Sequence, residues 1–315
     1  MNNLLYSLNG IFPIFSIALL GYYLKKKDLI TEDFNQRSSD MLFKFFMPLM
    51  LFYNVYSSDF LSGLDLKMFL FLYASTIGTV VVTWVIGARY IKEKATLGVF
   101  VQGIYRNNYA ILAISLNLAL FGQAALTMSA FMLAIVVPLY NMLAVFILTV
   151  CSNDPTVKKG PRDIVVGVFT NKIIIAIALG IVVSSFKIAL PQFVVNSLSM
   201  ISGITAPLAI LMIGASMDFA KLKGKMKLTL IASLSKTVIL PLIFVPIAYL
   251  IGFRDMYLGM IFLFFTTPSA ANSYIMARSM KCDDELAGSI VMATTLLSFG
   301  TIFFGILILK ALALI

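Results

Sequence analysis

The stretch Thr96–Phe121 reads TLGVFVQGIYRNNYAILAISLNLALF. It is about 26 residues long, or ~39 Å at 1.5 Å per residue, which exceeds the ~30 Å of a bilayer's hydrocarbon core. Its flanks are apolar on every face, so no water-facing side can be drawn on it. Yet Gln102-Gly103-Ile104-Tyr105-Arg106-Asn107-Asn108 falls at its middle and places an arginine roughly 15 Å deep. Burying that charge costs about 2.5–3.5 kcal/mol on insertion scales. A helix that crosses a membrane and is broken halfway by polar residues fits this pattern, and the polar residues then need a reason to be there.

The rest of the chain has the same character. Of 315 residues, 60% are hydrophobic and 12% charged, with a mean hydropathy of +0.97; soluble domains carry about twice that charge fraction. Apolar runs predict spans at 4–24, 39–57, 68–90, 96–121, 126–150, 171–190, 193–217, 228–251, 256–280 and 286–314, leaving no segment for a separate soluble domain. The first run lacks the basic n-region and cleavage site of a signal peptide and is read as a span. A net charge of +10 would suggest nucleic acid in a soluble protein, but here lysine and arginine occupy short loops, where they set orientation. No nucleic-acid partner is expected. The loops after spans 1, 3, 5, 7 and 9 hold 17 basic residues and the opposite side, termini included, only Lys67, Lys187, Arg254 and Lys310. The positive-inside rule therefore puts both termini outside the cytoplasm. Cys151 and Cys282, with no histidine in the chain, form no metal pattern, and no cofactor or metal is expected.

A shift of 159 residues pairs Leu20-Gly21 with Leu179-Gly180, Ser38 with Ser197, Met41 with Met200, Pro48-Leu49 with Pro207-Leu208, and Ser57-x-Asp59-Phe60 with Ser216-x-Asp218-Phe219. A shift of 161 pairs Leu97-Gly98 with Leu258-Gly259. The chain thus divides into halves at 1–160 and 161–315, each with five spans. An odd number of spans forces the second half to lie inverted relative to the first. The fold expected is an all-α membrane protein of ten transmembrane helices in two inverted five-helix repeats. Such repeats rock one bundle against another around a midplane site and are the architecture of secondary transporters.

Span 9 carries the counterpart of the first break, Thr266-Thr267-Pro268-Ser269-Ala270-Ala271-Asn272-Ser273, with Asn107 falling on Pro268 at the 161 shift. Proline removes a backbone donor and asparagine competes for backbone hydrogen bonds, so both interruptions have local causes. All fourteen acidic residues sit in loops or at span ends, and no carboxylate reaches the midplane to neutralise Arg106. The missing anion is then the substrate, held by Arg106 and the amides of Asn107, Asn108 and Asn272, with Thr267, Pro268 and Ser269 lining the second break. The competing reading is an ordinary proline kink, with Arg106 capping carbonyls of the broken helix. Lys236, eight residues into span 8, is a second deep cation that either joins the site or snorkels to the surface; Lys44 is expected to snorkel. Asn54 in span 2 is a weaker candidate, as is Asn141 beside Pro138 in span 5, because isolated polar residues commonly satisfy neighbouring helices.

Tyr105-Arg106-Asn107-Asn108 and Thr267-Pro268-Ser269-Ala270-Ala271-Asn272, in ten spans with short basic loops, resemble the auxin efflux carrier family, which includes plant PIN-formed carriers and bacterial malate and malonate permeases. The resemblance covers essentially the whole chain. It implies that spans 4 and 9 cross as an X at the midplane, and that a small organic anion such as malate, malonate or an auxin-like carboxylate binds there among Arg106, Asn107, Asn108, Pro268 and Asn272. It also implies the bacterial inner membrane as location and pairing into a homodimer, on which the sequence itself is silent. Two features depart from the family: Tyr109 stands where members often carry a small residue, which bears on pocket size, and the long cytoplasmic loop of the plant carriers is absent.

Transport by alternating access, of the elevator or rocking-bundle type, needs no covalent chemistry. A monovalent anion leaving an inside-negative cell gains about 2.3 kcal/mol per 100 mV, so export runs uncoupled, whereas import of a dicarboxylate needs a co-transported cation. A sodium-coupled symporter on the same crossed helices is the nearest rival. A membrane sensor that binds without moving its ligand is another. An intramembrane enzyme is disfavoured by the lack of histidine, deep carboxylates and a Gly-x-Ser-x-Gly elbow.

Overall fold

The computed structural model describes residues 2–57, 66–152, 172–216, 225–270 and 272–315. Among these the chain is helical throughout and forms no strand beyond one isolated bridge. The helices are α1 (Asn2–Lys26), α2 (Glu32–Met41), α3 (Met47–Tyr56), α4 (Leu66–Tyr90), α5 (Lys94–Tyr105), α6 (Ile114–Phe121), α7 (Gln123–Cys151), α8 (Lys172–Ser185), α9 (Gln192–Ala215), α10 (Met226–Leu234), α11 (Leu240–Ile251), α12 (Asp255–Thr266), α13 (Asn272–Ser279) and α14 (Asp284–Ala311). Single π-helical turns at Leu42–Phe46, Tyr109–Ala113 and Ser235–Ile239 join α2 to α3, lead into α6, and join α10 to α11.

Among the described residues, four elements are long and apolar enough to cross a membrane: α4, α9, the continuous α10–α11 from Met226 to Ile251, and α14. Their outward faces are apolar. Val81, Val82 and Val85 on α4, Ile204 on α9, Leu242 and Leu250 on α11 and Phe304 on α14 are all exposed. A surface of this kind is stable in lipid rather than in water. The expected run 96–121 becomes α5 and α6, and 256–280 becomes α12 and α13, each divided as the sequence predicts.

Two groups of helices form. In one, α1 packs on α9 and α3 packs on both α8 and α9. In the other, α4 and α7 pack on α5, α11 packs on α12, and α10, α12 and α13 pack on α14. The groups meet where α1 touches α6 and α14, α3 touches α7, and the turn before α6 touches α9. Close approach in the first group depends on glycine. A Cβ at Gly21 would collide with the Leu211 carbonyl oxygen, one at Gly214 with that of Ala18, and one at Gly180 would lie 3.0 Å from that of Phe52. Gly21 and Gly180 are 159 apart, and so are Phe52 and Leu211, which makes the two contacts equivalent under the sequence shift.

The charged side chains at the helix ends pair locally. Lys44 bonds Asp40 at 2.7 Å, Arg37 pairs with Asp33 and Lys25 with Glu32.

Candidate functional site

Helix α5 stops because Arg106 turns extended (φ −83°, ψ 115°). Helix α12 stops at Thr267 (φ −62°, ψ 145°), the residue before Pro268, where the proline ring disfavours helical geometry. The two extended segments then run antiparallel. Asn107 pairs with Ser269 as a lone β-bridge, and the Asn108 amide donates to the Pro268 carbonyl at 2.7 Å. Beyond the bridge, α6 contacts α12 and α13 contacts α5, so the two broken helices cross. The crossing brings together the carbonyl ends of α5 and α12 and the amide ends of the segments that follow, which carry opposite partial charges.

The side chains divide their duties unevenly. Asn107, buried at 4% exposure, donates its Nδ2 to the Phe264 carbonyl at 2.6 Å and so caps α12 from the other break, while its Oδ1 has no partner. Thr266 and Thr267 return their hydroxyls to carbonyls within their own chain segment, at Phe262 and Phe264. The Ser269 amide is held by the Thr294 hydroxyl at 3.0 Å, but Ser269 Oγ is buried without a partner. Asn108 and the half-buried Asn272 make no side-chain hydrogen bond among the described residues.

Arg106 is 6% exposed. Its guanidinium donates to Asn141 Oδ1 on α7 at 3.0 Å and lies 2.8 Å from Met276 Sδ on α13. Both groups are neutral. The guanidinium therefore bridges the first break, α7 and the second broken helix with a charge that no described carboxylate cancels. The expected alternative, an arginine capping helix carbonyls, is not what the structure shows; Asn107 does that work. Asn141, weak in sequence, emerges as the group that orients Arg106. Nothing in its local sequence signals this, because the pairing joins residues on different helices.

Tyr109, the departure that bears on pocket size, lies away from the nearby cleft. It turns into the bundle at 2% exposure, with its hydroxyl between Met132 Sδ at 2.9 Å and Asn117 Nδ2 at 3.3 Å and its ring 5.6 Å from that of Phe264. That small cleft lies between α6 and the first group of helices, lined by Met47, Met50, Ala110, Ile114, Thr205 and Ala209. Asn54, 1% exposed with its Nδ2 unpartnered, sits on α3 in the same group. Lys236 does not snorkel. It is 1% exposed in the π turn between α10 and α11, which packs on α5, α12 and α14.

Residues 6–306 match the model of a family described as membrane transport protein. The chain belongs to that family, the auxin efflux carriers and their relatives. An uncharacterized transporter of Methanocaldococcus jannaschii is 23% identical over 290 residues, 90% of this chain and 92% of its own length. An uncharacterized transporter of Methanothermobacter thermautotrophicus is 22% identical over 297 residues, covering 93% and 95%. The protein is thus a membrane transporter of this family, and the family is not an enzyme class.

Proposed function

We propose that this transporter moves small organic anions by alternating access, with the anion bound at the crossing of its two broken helices. The observation that carries the reading is Arg106: a buried guanidinium whose partners, Asn141 and Met276, are both neutral. A buried charge without a counter-charge is costly, and an anionic ligand supplies that counter-charge when it binds. Asn108 and Asn272, on the two breaks, complete the carboxylate's hydrogen bonds, and Asn54, buried on α3 with its Nδ2 unpartnered, is a further candidate from the opposite group. The ten-span arrangement with inverted halves 1–160 and 161–315 is supported by the equivalent contacts of Gly21 on Leu211 and Gly180 on Phe52. Movement follows from the same division. The group containing the crossing shifts, as an elevator or a rocking bundle, against α1–α3, α8 and α9, and the cleft beside Ala110 lies on that sliding surface. We place the protein in the inner membrane with both termini outside the cytoplasm, and as a homodimer.

The test is a thermal-shift screen of detergent-purified protein with malate, malonate, succinate, citrate, lactate and indole-3-acetate, each with and without sodium, on wild type and Arg106→Gln. Stabilisation by one acid, absent in the variant, is expected through binding linkage. A shift with sodium and none with any acid overturns the anion reading.

A further inference from the structure

Helix α10 carries an unusual inner face. Thr229, Ser233 and Lys236 recur at spacings of four and three, one above the other along the helix, and their exposures are 1%, 0% and 1%. Buried hydroxyls within helices ordinarily return to a carbonyl one turn back. Neighbouring ones do so here: Thr237 bonds the Ser233 carbonyl at 2.8 Å and Thr295 that of Val291 at 2.7 Å. Thr229 Oγ1 and Ser233 Oγ do not, and neither has a protein partner. Helix α5, which packs on α10, adds Gln102, wholly buried with both side-chain polar atoms unpartnered. Buried polar atoms that the protein does not satisfy are satisfied by water, and a water needs two to four such groups. The outer end of this face is Lys225, the residue that opens α10, where its ammonium bonds Glu93 at 2.9 Å, Asp283 at 2.7 Å and Thr96 at 2.7 Å. The inner end is Lys236, roughly 16 Å farther along the helix, in a π turn of the kind that recurs at functional sites.

Lys236 has no charged partner among the described residues. The elements packed against its turn hold their titratable groups at their ends: Lys227 on α10, Lys94 and Tyr105 on α5, Tyr249 on α11, Asp255 and Tyr257 on α12, and Asp284, Glu285 and Lys310 on α14. The nearest fixed cation in sequence on α5 is Arg106, just past its last residue. The two deep cations are chemically different. Arginine keeps its proton in proteins, whereas a lysine amine has an accessible neutral form. Arg106 is thus a constant charge, and Lys236 is the deep cation whose chemistry permits proton exchange.

We propose that Lys236 exchanges a proton with the lysine-rich face through a water file along Thr229, Ser233 and Gln102, and that this proton moves with the transported anion. In the loading step a water in the file gives its proton to Lys236 Nζ, and the deficit passes outward from water to water and is filled from bulk at the Lys225 cluster. Charge at Lys236 then favours an anion in the same bundle, and release of the anion favours return of the proton. The coupling rests on the anion-carrier reading; the protonation exchange does not.

The experiment has two arms so that the two failures separate. In the first, ligand-free protein labelled with 15N-lysine is titrated from pH 6 to 9. One lysine Nζ resonance is expected to titrate and to vanish in Lys236→Met or Lys236→Arg, while a wild type whose every lysine stays protonated to pH 9 overturns the proposal. In the second, proteoliposomes containing pyranine report protons moved per radiolabelled anion for whichever of the six acids binds. The ratio, which does not depend on the fraction of active protein, is expected to be finite in wild type, near zero in Lys236→Met, and reached severalfold more slowly in Ser233→Ala. An unchanged ratio in Lys236→Met overturns the coupling even if anion transport stands. Absence of any acid that binds overturns the anion carrier and the coupling, and leaves the outcome of the first arm to decide protonation at Lys236.

Discussion

Asn107 on the first break closes the end of the helix before the second: its Nδ2 sits 2.6 Å from the carbonyl of Phe264. The crossing is therefore not two independent kinks. A carbonyl freed by Pro268 is satisfied by an amide from the other break, so each break depends on the other. Replacing Asn107 with Ala leaves that buried carbonyl with only the long 3.5 Å bond from the Thr267 hydroxyl, and a loss of roughly 1–3 kcal/mol of stability is expected. Asn107→Asp is expected to be worse than Asn107→Ala, because it sets an acceptor against an acceptor. Unfolding of the purified protein in detergent measures both, and an aspartate variant as stable as wild type would remove the cap.

Arg106 is aimed by Asn141. Asn141→Leu removes one neutral acceptor at 3.0 Å and leaves the charge in place. A hydrogen bond of this type contributes about 0.5–1.5 kcal/mol. Anion affinity is accordingly expected to fall about three- to tenfold, with the same anion preferred, whereas Arg106→Gln abolishes binding. Titration calorimetry with the anion found in the screen separates the two. A variant at Asn141 with unaltered affinity would mean that the guanidinium is oriented by the ligand alone.

These two residues also mark how far the sequence could be read. The helix positions and both interruptions were legible because long apolar runs, Pro268 and the Asn107-Asn108 pair act locally. The partner of Arg106 was not legible, since it comes from α7 and only packing brings it near. Lys236 was ambiguous for the same reason. A lysine eight residues into an apolar run either snorkels or turns inward depending on what packs against it, and here α5, α12 and α14 close over it. Tyr109 left pocket size open in sequence, because a phenol either fills a cleft or finds partners inside the bundle, and here Met132 with Asn117 supplies them.

The glycines give a prediction that compares positions within one helix. On α9, a methyl group at Gly214 collides with the Ala18 backbone, whereas one at Gly203 meets nothing within 4 Å. Gly214→Ala is expected to destabilise by about 1–3 kcal/mol or more through overpacking against backbone that has nowhere to move. Gly203→Ala is expected to be neutral or to stabilise by up to ~1 kcal/mol through helix propensity. Gly21→Ala on α1 should resemble Gly214→Ala, because both sit in the same α1–α9 contact. Equal effects at Gly203 and Gly214 would show that α1 and α9 do not approach as closely as described.

The ion-pair cluster at the lysine-rich face makes a prediction in pH. Burial opposes ionisation of Asp283, but hydrogen bonds from Lys225, Thr96 and the Leu286 amide outweigh it and hold the carboxyl below its usual range. The hydrogen bond from Lys225 does the same for Glu93. Lys225 is opposed by its own partial burial, yet its bonds to Asp283 and Glu93 hold its proton more tightly than usual. A lowered carboxylate contributes stability above its ordinary pKa of about 4 and loses it as pH falls through the folded value, and a raised lysine contributes below about 10.4 and loses it as pH rises through the folded value. The gap in melting temperature between wild type and Lys225→Ala is thus expected to be flat between about pH 5 and 9 and to close outside that window. Because Lys225 and Glu93 are 44% and 57% exposed, the gap is small, on the order of 1 kcal/mol or less, and shrinks in 1 M salt. Asp283→Asn keeps an oxygen to cap α14 at the Leu286 amide and should lose only the charge, whereas Asp283→Ala loses the cap as well, about 1 kcal/mol more. Asp283→Asn and Asp283→Ala melting together would assign the residue to charge alone.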